Sequence, residues 1–454
     1  MSIALQNRAY PAWYTTCFGK GVRPFIPSLF TVILLLAPAC APALSAAAGE
    51  PAPAEPSVRA QDLSEGSPLS LDQALLLAEQ NSPLLKEASA TVDRSHAGIQ
   101  TARAYTNPSA EFLAGQQSAR AVAIPGIPGL LLHYSAEQTI EIPSERRARI
   151  LAAKFALAGS EYQFAGIRLA VVASVKRAFY DVLRRKQQVK YAMDNLALVE
   201  DLRRRVGVEV QVGEKGKLEL TRAEAELARA RAAVKSAEVE LSNARAVLKA
   251  VMGTASGVDY DPQGAPEGPV PLAPLPELRA QVLSTHPALS ESNARTFEAE
   301  ATVKRELARR LPQPAIYGEY ERQPDLTFYR FGVNVPLPLW DKRKGPIAEA
   351  RAEVDRSKAM ARQRELEIVA MLDRAYDQYQ IRDQQVQSLQ AGSLREAQAA
   401  VDAALSAYRF GERGILEVLD AQRVLQGVRN DLLDALFARQ SAFIDLEELG
   451  ATQK

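Results

Sequence analysis

Histidine and cysteine are nearly missing from this 454-residue chain, which has three of the former (His96, His133, His286) and two of the latter (Cys17, Cys40). That scarcity removes most metal-site chemistry and most Cys/His nucleophile chemistry. His96 sits in a helical pattern, His133 opens a strand pattern and His286 precedes Pro287, so each reads as a solvated or packed residue. Methionine is sparse too. Beyond the N-terminus only Met193, Met252, Met360 and Met371 occur, and they form no thioether or imidazole relay for soft metals. Charge of one sign is also lacking: 55 Lys and Arg face 54 Asp and Glu, a net of +1, which leaves no electrostatic footprint for nucleic acid. No G-x-x-x-x-G-K-[ST] phosphate loop is present, so any energy must come from a partner. Nothing in the pattern calls for a cofactor or a catalytic residue. With aromatics at 6% and alanine abundant, the chain reads as long packed helices.

A membrane-spanning apolar run is the next absence. Leu29–Ala37 is apolar but is cut short by Pro38 and Pro42, well below the ~20 residues that cross a bilayer. Arg8, Lys20 and Arg23 precede it and Ala43-Leu44-Ser45-Ala46 follows, the layout of a secretory signal peptide over residues 1–48. Leu36-Ala37-Pro38-Ala39-Cys40 also resembles a lipoprotein cleavage box, which would make Cys40 the lipidated first residue. In either reading Cys17 leaves with the leader, and no disulfide forms within one mature chain. Residues 49–68, rich in Pro, Ala, Glu and Ser, read as a flexible linker.

What is present is one unit written twice. A Pro-rich stretch over 255–276 separates residues 69–254 from residues 277–450, with a short tail at 451–454. Asn81-Ser82-Pro83 answers Thr285-His286-Pro287, and Pro108 answers Pro312, both at a spacing of 204 residues. Gly213-Glu214-Lys215-Gly216 answers Gly411-Glu412-Arg413-Gly414 at a spacing of 198. Each half reads as helix, two strands, then very long helices. Ser70 caps a helix running toward Tyr105, where Asn107-Pro108 breaks it. Strands are predicted over 109–117 and 133–142, separated by a Pro/Gly loop, and again over 315–321 and 327–335. Tyr329, Phe331, Val333 and Val335 alternate with Phe328, Arg330, Gly332 and Asn334, which fits a membrane-barrel strand and equally a half-buried soluble hairpin. Below the strands, Leu220, Leu227, Val234, Leu241 and Leu248 recur every seven residues, with Ala223, Ala230, Ala237, Ala244 and Val251 interleaved. That is a coiled-coil seam, and its second copy is broken only at Arg439.

Four strands cannot close a membrane barrel, and open edges are not tolerated in lipid. Several chains must therefore share one barrel. At this point the chain resembles the TolC-family outer-membrane factors. The resemblance rests on Leu69-Ser70-Leu71-Asp72-Gln73-Ala74-Leu75 followed by Asn81-Ser82-Pro83, the duplicated hairpins, the paired Gly-x-x-Gly turns, and above all Tyr408-Arg409-Phe410-Gly411-Glu412-Arg413-Gly414-Ile415-Leu416-Glu417-Val418-Leu419-Asp420-Ala421. Ile142-Pro143, Val335-Pro336-Leu337-Pro338-Leu339-Trp340 and the basic runs Arg146-Arg147 and Lys342-Arg343-Lys344 are most similar to the cobalt-zinc-cadmium (CzcC-like) efflux branch.

The resemblance implies a mainly α protein with a membrane β-barrel portion: a homotrimer sharing a twelve-stranded barrel in the outer membrane of a Gram-negative bacterium, above long periplasmic coiled-coil helices. It implies a duct in a tripartite pump, with a periplasmic adaptor and an inner-membrane pump of RND type as partners. Heavy-metal cations are the expected cargo, with drugs, organic solutes or type I protein secretion as the alternative. A periplasmic adaptor or coiled-coil scaffold is the reading from a different class. An adaptor should show one helical hairpin flanked by β-rich segments, whereas this chain has two hairpin units embracing two strand pairs. The resemblance also assigns Val212, Gly213, Gly216, Arg409, Gly411 and Gly414 to adaptor-contacting tips, where the bland alternative is a helix reversal. It assigns Glu417 and Asp420 to a periplasmic aperture held shut through Arg413, where the alternative is acids favouring a helix N-terminus.

Overall fold

The computed structural model describes residues 67–117, 129–254, 259–265, 268–324 and 326–452. The leader, Cys17, Cys40 and most of the Pro/Gly loop between the first two strands lie outside these residues.

After a short strand β1 (Ser67–Leu69), helix α1 (Leu71–Asn81) starts from a capping box in which Ser70 and Gln73 each satisfy the other's backbone N–H. The helix predicted to run unbroken toward Tyr105 is in fact two. Ser82-Pro83 ends α1 and starts α2 (Pro83–Arg103), because a proline ring cannot follow a helical residue without clash but suits the first helical position. Strands β2 (Ser109–Gln117) and β3 (Gly129–Thr139) follow, then α3 (Pro143–Gln211), 69 residues long and therefore about 100 Å. Strand β3 begins and ends earlier than the alternation suggests. Ile140 instead donates to Pro314, and Ile142 becomes the cap of α3.

The chain then reverses into α4 (Lys217–Met252), passes β4 (Tyr260–Pro262), and repeats the order: α5 (Leu275–Thr285), α6 (Pro287–Ala308), β5 (Ala315–Arg322), β6 (Thr327–Asn334), α7 (Lys344–Ser388), a π turn (Leu389–Ser393), α8 (Leu394–Arg409) and α9 (Ile415–Glu448). The Pro-rich stretches read as linkers are ordered where they meet. β1 and β4 pair in parallel, placing Leu69 and Tyr260 in the core. Lys186 holds Asp261 at 2.8 Å, and the Tyr379 hydroxyl accepts from Val270 N–H and donates to its carbonyl.

The four longer strands form one antiparallel sheet in the order β2-β3-β5-β6. Each strand continues into, or from, the helix of matching position, so the sheet stands on a wall of helices α2, α3, α6 and α7 packed in that same order. One sheet face carries a cross-strand row of Phe112, Tyr134, Tyr320 and Tyr329, with ring centroids 4.8, 6.0 and 5.2 Å apart along it. The opposite face carries Glu111, Ser135, Glu319 and Arg330 in register, with Arg330 bonded to Glu319 at 2.8 Å. Arginines fasten sheet to wall. Arg149 binds Glu141 and also donates to the C-terminal carbonyls of Ala102 and Ala104, while Arg146 donates to Arg103. Glu145 and Glu306, both buried, accept from Arg309 and Arg343 at 2.6 Å, and Gln313 adds a bond to Glu145. The basic runs after β3 and β6 are thus partly engaged in this junction.

Candidate functional site

Away from the sheet the wall changes partners, and α3, α4, α8 and α9 close around their own core. Val199, Leu202 and Val206 of α3 meet Ala223 and Ala230 of α4, Tyr408 of α8, and Ile415, Val418 and Leu419 of α9. The seam read from heptads is what is buried: Ala223, Ala230, Val234, Ala244 and Leu248 in α4, with Leu220, Leu227 and Leu241 half-buried beside them. In α9 the seam is interrupted where the heptads are. Arg439 is 7% exposed and pairs with Asp383 of α7 at 3.0 Å.

Two hairpin tips close this end. At Gly213 (φ 84°) and Gly411 (φ 74°) the chain enters the left-handed region that glycine adopts without strain. Glu214 N–H reaches Glu209 O and Glu412 N–H reaches Ala407 O, both at 2.9 Å, while Gly213 and Gly411 bond one residue closer in. Both tips are therefore Schellman reversals. Gly216 and Gly414 differ: they are extended N-caps of α4 and α9 and do not use the positive φ. Around the glycines lie exposed apolar side chains, Val208, Val212, Leu218, Phe410 and Leu416, and Arg409 is exposed among them. Phe410, 83% exposed, is a tip residue that the sequence reading passed over.

The tips are tied to one another. Tyr408 donates its hydroxyl to Glu209 at 3.0 Å, and burial, followed by that bond, pushes the phenol well above its ordinary pKa. Glu417 and Asp420 stand exposed on the first turns of α9, while the intervening Val418 and Leu419 are buried. Arg413 lies 4.0 Å from Glu417. Asp420 is held at 3.0 Å by Arg423, which also reaches Glu226 of α4 at 2.9 Å and so joins the two hairpins. Arg423 is missing from the sequence reading. Its signal was the i,i+3 spacing from Asp420, but its link to Glu226, 197 residues earlier, leaves no local trace.

No group of His, Cys, Asp or Glu suited to a metal ion occurs among the described residues. Nor is any described helix long and apolar enough to cross a membrane. The apolar surface instead lies on the sheet, where Phe112, Tyr134, Ile316, Tyr329, Phe331 and Val333 are exposed. A sheet with one apolar and one charged face, standing on a helical wall that ends in paired tips, is the architecture of an outer-membrane channel subunit.

The outer membrane efflux protein family matches residues 74–254 and again 278–451, and this chain belongs to it. It is similar to the cobalt-zinc-cadmium resistance protein CzcC of Cupriavidus metallidurans, 28% identical over 81% of this chain and 87% of that protein. The pyoverdine export outer membrane protein OpmQ of Pseudomonas aeruginosa is 25% identical over 69% of this chain and 68% of that protein. Among solved structures, CusC superposes with a TM-score of 0.71 at 18% identity, over 84% of this chain and 91% of that one. The chain is an outer-membrane efflux protein with the TolC-like fold.

Proposed function

We propose that this chain is one of three identical subunits of a passive duct in a tripartite efflux pump, with its helical part in the periplasm. The carrying observation is the sheet. Neither outer edge, of β2 or of β6, is paired among the described residues, although the sheet bears an apolar face. In hydrocarbon each orphaned N–H or C=O costs several kcal/mol, so β6 of one copy pairs with β2 of the next, and three copies close at twelve strands. The charged face then lines the lumen. The exposed apolar tip residues around Gly213 and Gly411 fit the hairpin tips of a periplasmic adaptor, and an RND-type inner-membrane pump supplies the energy. Transport through the duct needs no chemical step, so no residue is assigned a catalytic role. Heavy-metal cations are the proposed cargo, on the similarity to the CzcC protein. The similarity to OpmQ keeps organic solutes as the second reading.

The test has two parts. Native mass of the full-length protein in mild detergent should give a trimer, and that trimer should form discrete channels in planar bilayers. A monomer recovered from the soluble periplasmic fraction removes the proposal. Cells lacking the gene should become sensitive to cobalt, zinc or cadmium; sensitivity confined to organic compounds moves the cargo to the second reading.

A further inference from the structure

The two junctions between strand and long helix differ by an insertion. Ile142-Pro143 after β3 matches Val335-Pro336 after β6 at a spacing of 193 residues, whereas Ile150 matches Ile347, and buried Ser160 matches buried Ser357, at 197. Four residues are therefore extra in the second half, between Pro336 and Arg343. Helix α3 starts at Pro143, directly after the strand, but α7 waits until Lys344. The intervening segment is apolar and bare: Leu337 and Leu339 are exposed, and Trp340 is 93% exposed. It is nevertheless shaped. Leu339 N–H bonds to Leu337 O at 2.9 Å, and Asp341 accepts the Arg343 N–H at 2.7 Å. Arg343 turns into the left-handed region (φ 54°) while Glu306 holds its guanidinium. Pro336 and Pro338 stiffen the segment further.

The internal repeat shows what belongs opposite this segment. Inside the chain, the first half covers the α6–β5 corner of the second. Ile140 N–H donates to Pro314 O at 2.8 Å, and buried Glu145 binds Arg309 at 2.6 Å and accepts from Gln313. At that corner Pro312, Gln313 and Pro314 are half-buried and Ala315 is buried. The matching corner of the first half, 104–111, is exposed at every residue, and so is every residue over 333–342. These two bare surfaces flank β2 and β6, the strands with no outer neighbour among the described residues. Carrying the internal contacts over by the repeat spacings pairs Val333 with Ala110 and sets Lys342 opposite Tyr105, where the chain itself has Glu145 opposite Arg309. Both positions change together. An acid facing a base becomes a cation facing an aromatic ring, and the face of such a ring attracts a cation. Tyr105 already stacks with the Arg146 guanidinium at 4.3 Å and is still 69% exposed, so it has surface left for a second contact.

We propose that residues 337–342 are a clasp between copies: in the trimer proposed above, on which this inference rests, they cover the 104–108 corner of the next copy, with Lys342 and Trp340 on its Tyr105. A second copy is the occupant because the chain already shows the same kind of corner covered once, by the same kind of segment, and because the two bare surfaces meet when β6 joins β2. Within one copy those strands are three spacings apart, about 14 Å, too far for a disulfide. Full-length Lys342→Cys with Tyr105→Cys should therefore give covalent dimers and trimers on non-reducing gels, and neither single variant should. Trp340→Ala should lower the temperature at which the trimer dissociates, followed by native mass, by about 5 °C or more. Lys342→Glu alone and Tyr105→Arg alone should each weaken the trimer. Together they rewrite the junction as the internal ion pair and should restore it to near the parental level. A double variant no more stable than the weaker single one overturns the clasp, as does a trimeric parent whose cysteine pair gives no crosslink. Strong quenching of Trp340 by brominated phospholipid, read in a Trp13→Phe background, assigns the segment to the membrane and also overturns it. A parent that is itself monomeric by native mass fails the trimer reading, before any variant is made.

Discussion

Tyr408 and Glu209 join the two hairpin tips through a 3.0 Å hydrogen bond between residues 199 apart in the chain. The phenol comes from α8 and the carboxylate from the last turn of α3, so the bond crosses between the two halves. A half-buried hydrogen bond to an ionised group contributes about 1.5–3 kcal/mol. Tyr408→Phe should therefore lower stability toward denaturant by about that amount at pH 7. Because the phenol's pKa is raised, the bond's contribution is complete below the ordinary tyrosine value near 10 and is lost only as pH rises beyond it. Unfolding curves at pH 6 and 8 should show the same loss; a loss that differs between them contradicts the assignment.

Arg439 and Asp383 illustrate what a single sequence can and cannot disclose. The break in the α9 heptads was visible, because a charge at a seam position interrupts an otherwise apolar pattern. Its partner was not visible, since Asp383 lies 56 residues away on α7 and looks like any solvated acid. The same division holds throughout. Strand alternation, heptads and Gly-x-x-Gly turns are local signals, and they gave the sheet faces, the buried seams and both tips. The α1–α2 break is written as Ser82-Pro83, where the apolar pattern alone predicts a continuous helix. The π turn has no local signature at all and appears only as a one-residue change of spacing between halves. Replacing Arg439 by Leu removes the buried arginine's bond to the partly exposed Asp383, which keeps its bond from Gln387, and should cost about 1.5–3 kcal/mol, while adding Asp383→Leu should restore most of it. Equal destabilisation in single and double variants would argue against the pair.

His286 caps α6: its Nδ1 accepts the Ala288 N–H at 3.1 Å, a role that requires the neutral ring. Burial, followed by the nearby Arg364, lowers its pKa, while Glu448 pulls the other way; Arg374 and Asp445 line the same pocket. A depressed pKa means the unfolded chain takes up the proton first, so stability is full above about 6.5 and falls as pH drops toward the folded-state value. Melting between pH 7.5 and 5 should therefore show a loss that His286→Asn removes, because asparagine caps without titrating. An identical slope in both proteins would exclude the histidine as its source.

Glycine at two reversals should respond differently to the same change. At Gly213 a Cβ would meet nothing within 4 Å, so Gly213→Ala costs only the left-handed backbone, about 1–2 kcal/mol. At Gly253 (φ 68°) a Cβ would stand 2.8 Å from the Asn81 carbonyl oxygen, so the C-terminus of α4 must move away from the α1–α2 break. Gly253→Ala should be the more destabilising by thermal melting. Gly213→Trp and Gly411→Trp should assemble normally yet fail to support export, since the bulk projects into the surface proposed for the adaptor. Full export in both tryptophan variants would confine these tips to a structural role.

The acidic pair gives the last prediction. Glu417 and Asp420 share one exposed face of α9, and the proposal that this face turns toward the axis of the proposed trimer would set them in two rings of three carboxylates. Each acid has a basic neighbour within its own chain: Arg413 at 4.0 Å from Glu417 and Arg423 at 3.0 Å from Asp420. Exposed pairs of this kind contribute about 0–1 kcal/mol, too little to hold the acids against a passing cation. Arg423 is the stronger constraint because it also grips Glu226 and so ties α9 to α4. Glu417→Ala with Asp420→Ala should reduce cation selectivity in planar bilayers and weaken block by multivalent cations. Arg413→Ser should raise basal conductance modestly. Arg423→Ala should raise it further, because it frees the second hairpin from the first as well as unpairing Asp420. If the double alanine variant keeps parental selectivity, the aperture lies elsewhere. If Arg423→Ala leaves conductance unchanged, the Glu226 link does not hold the tip closed.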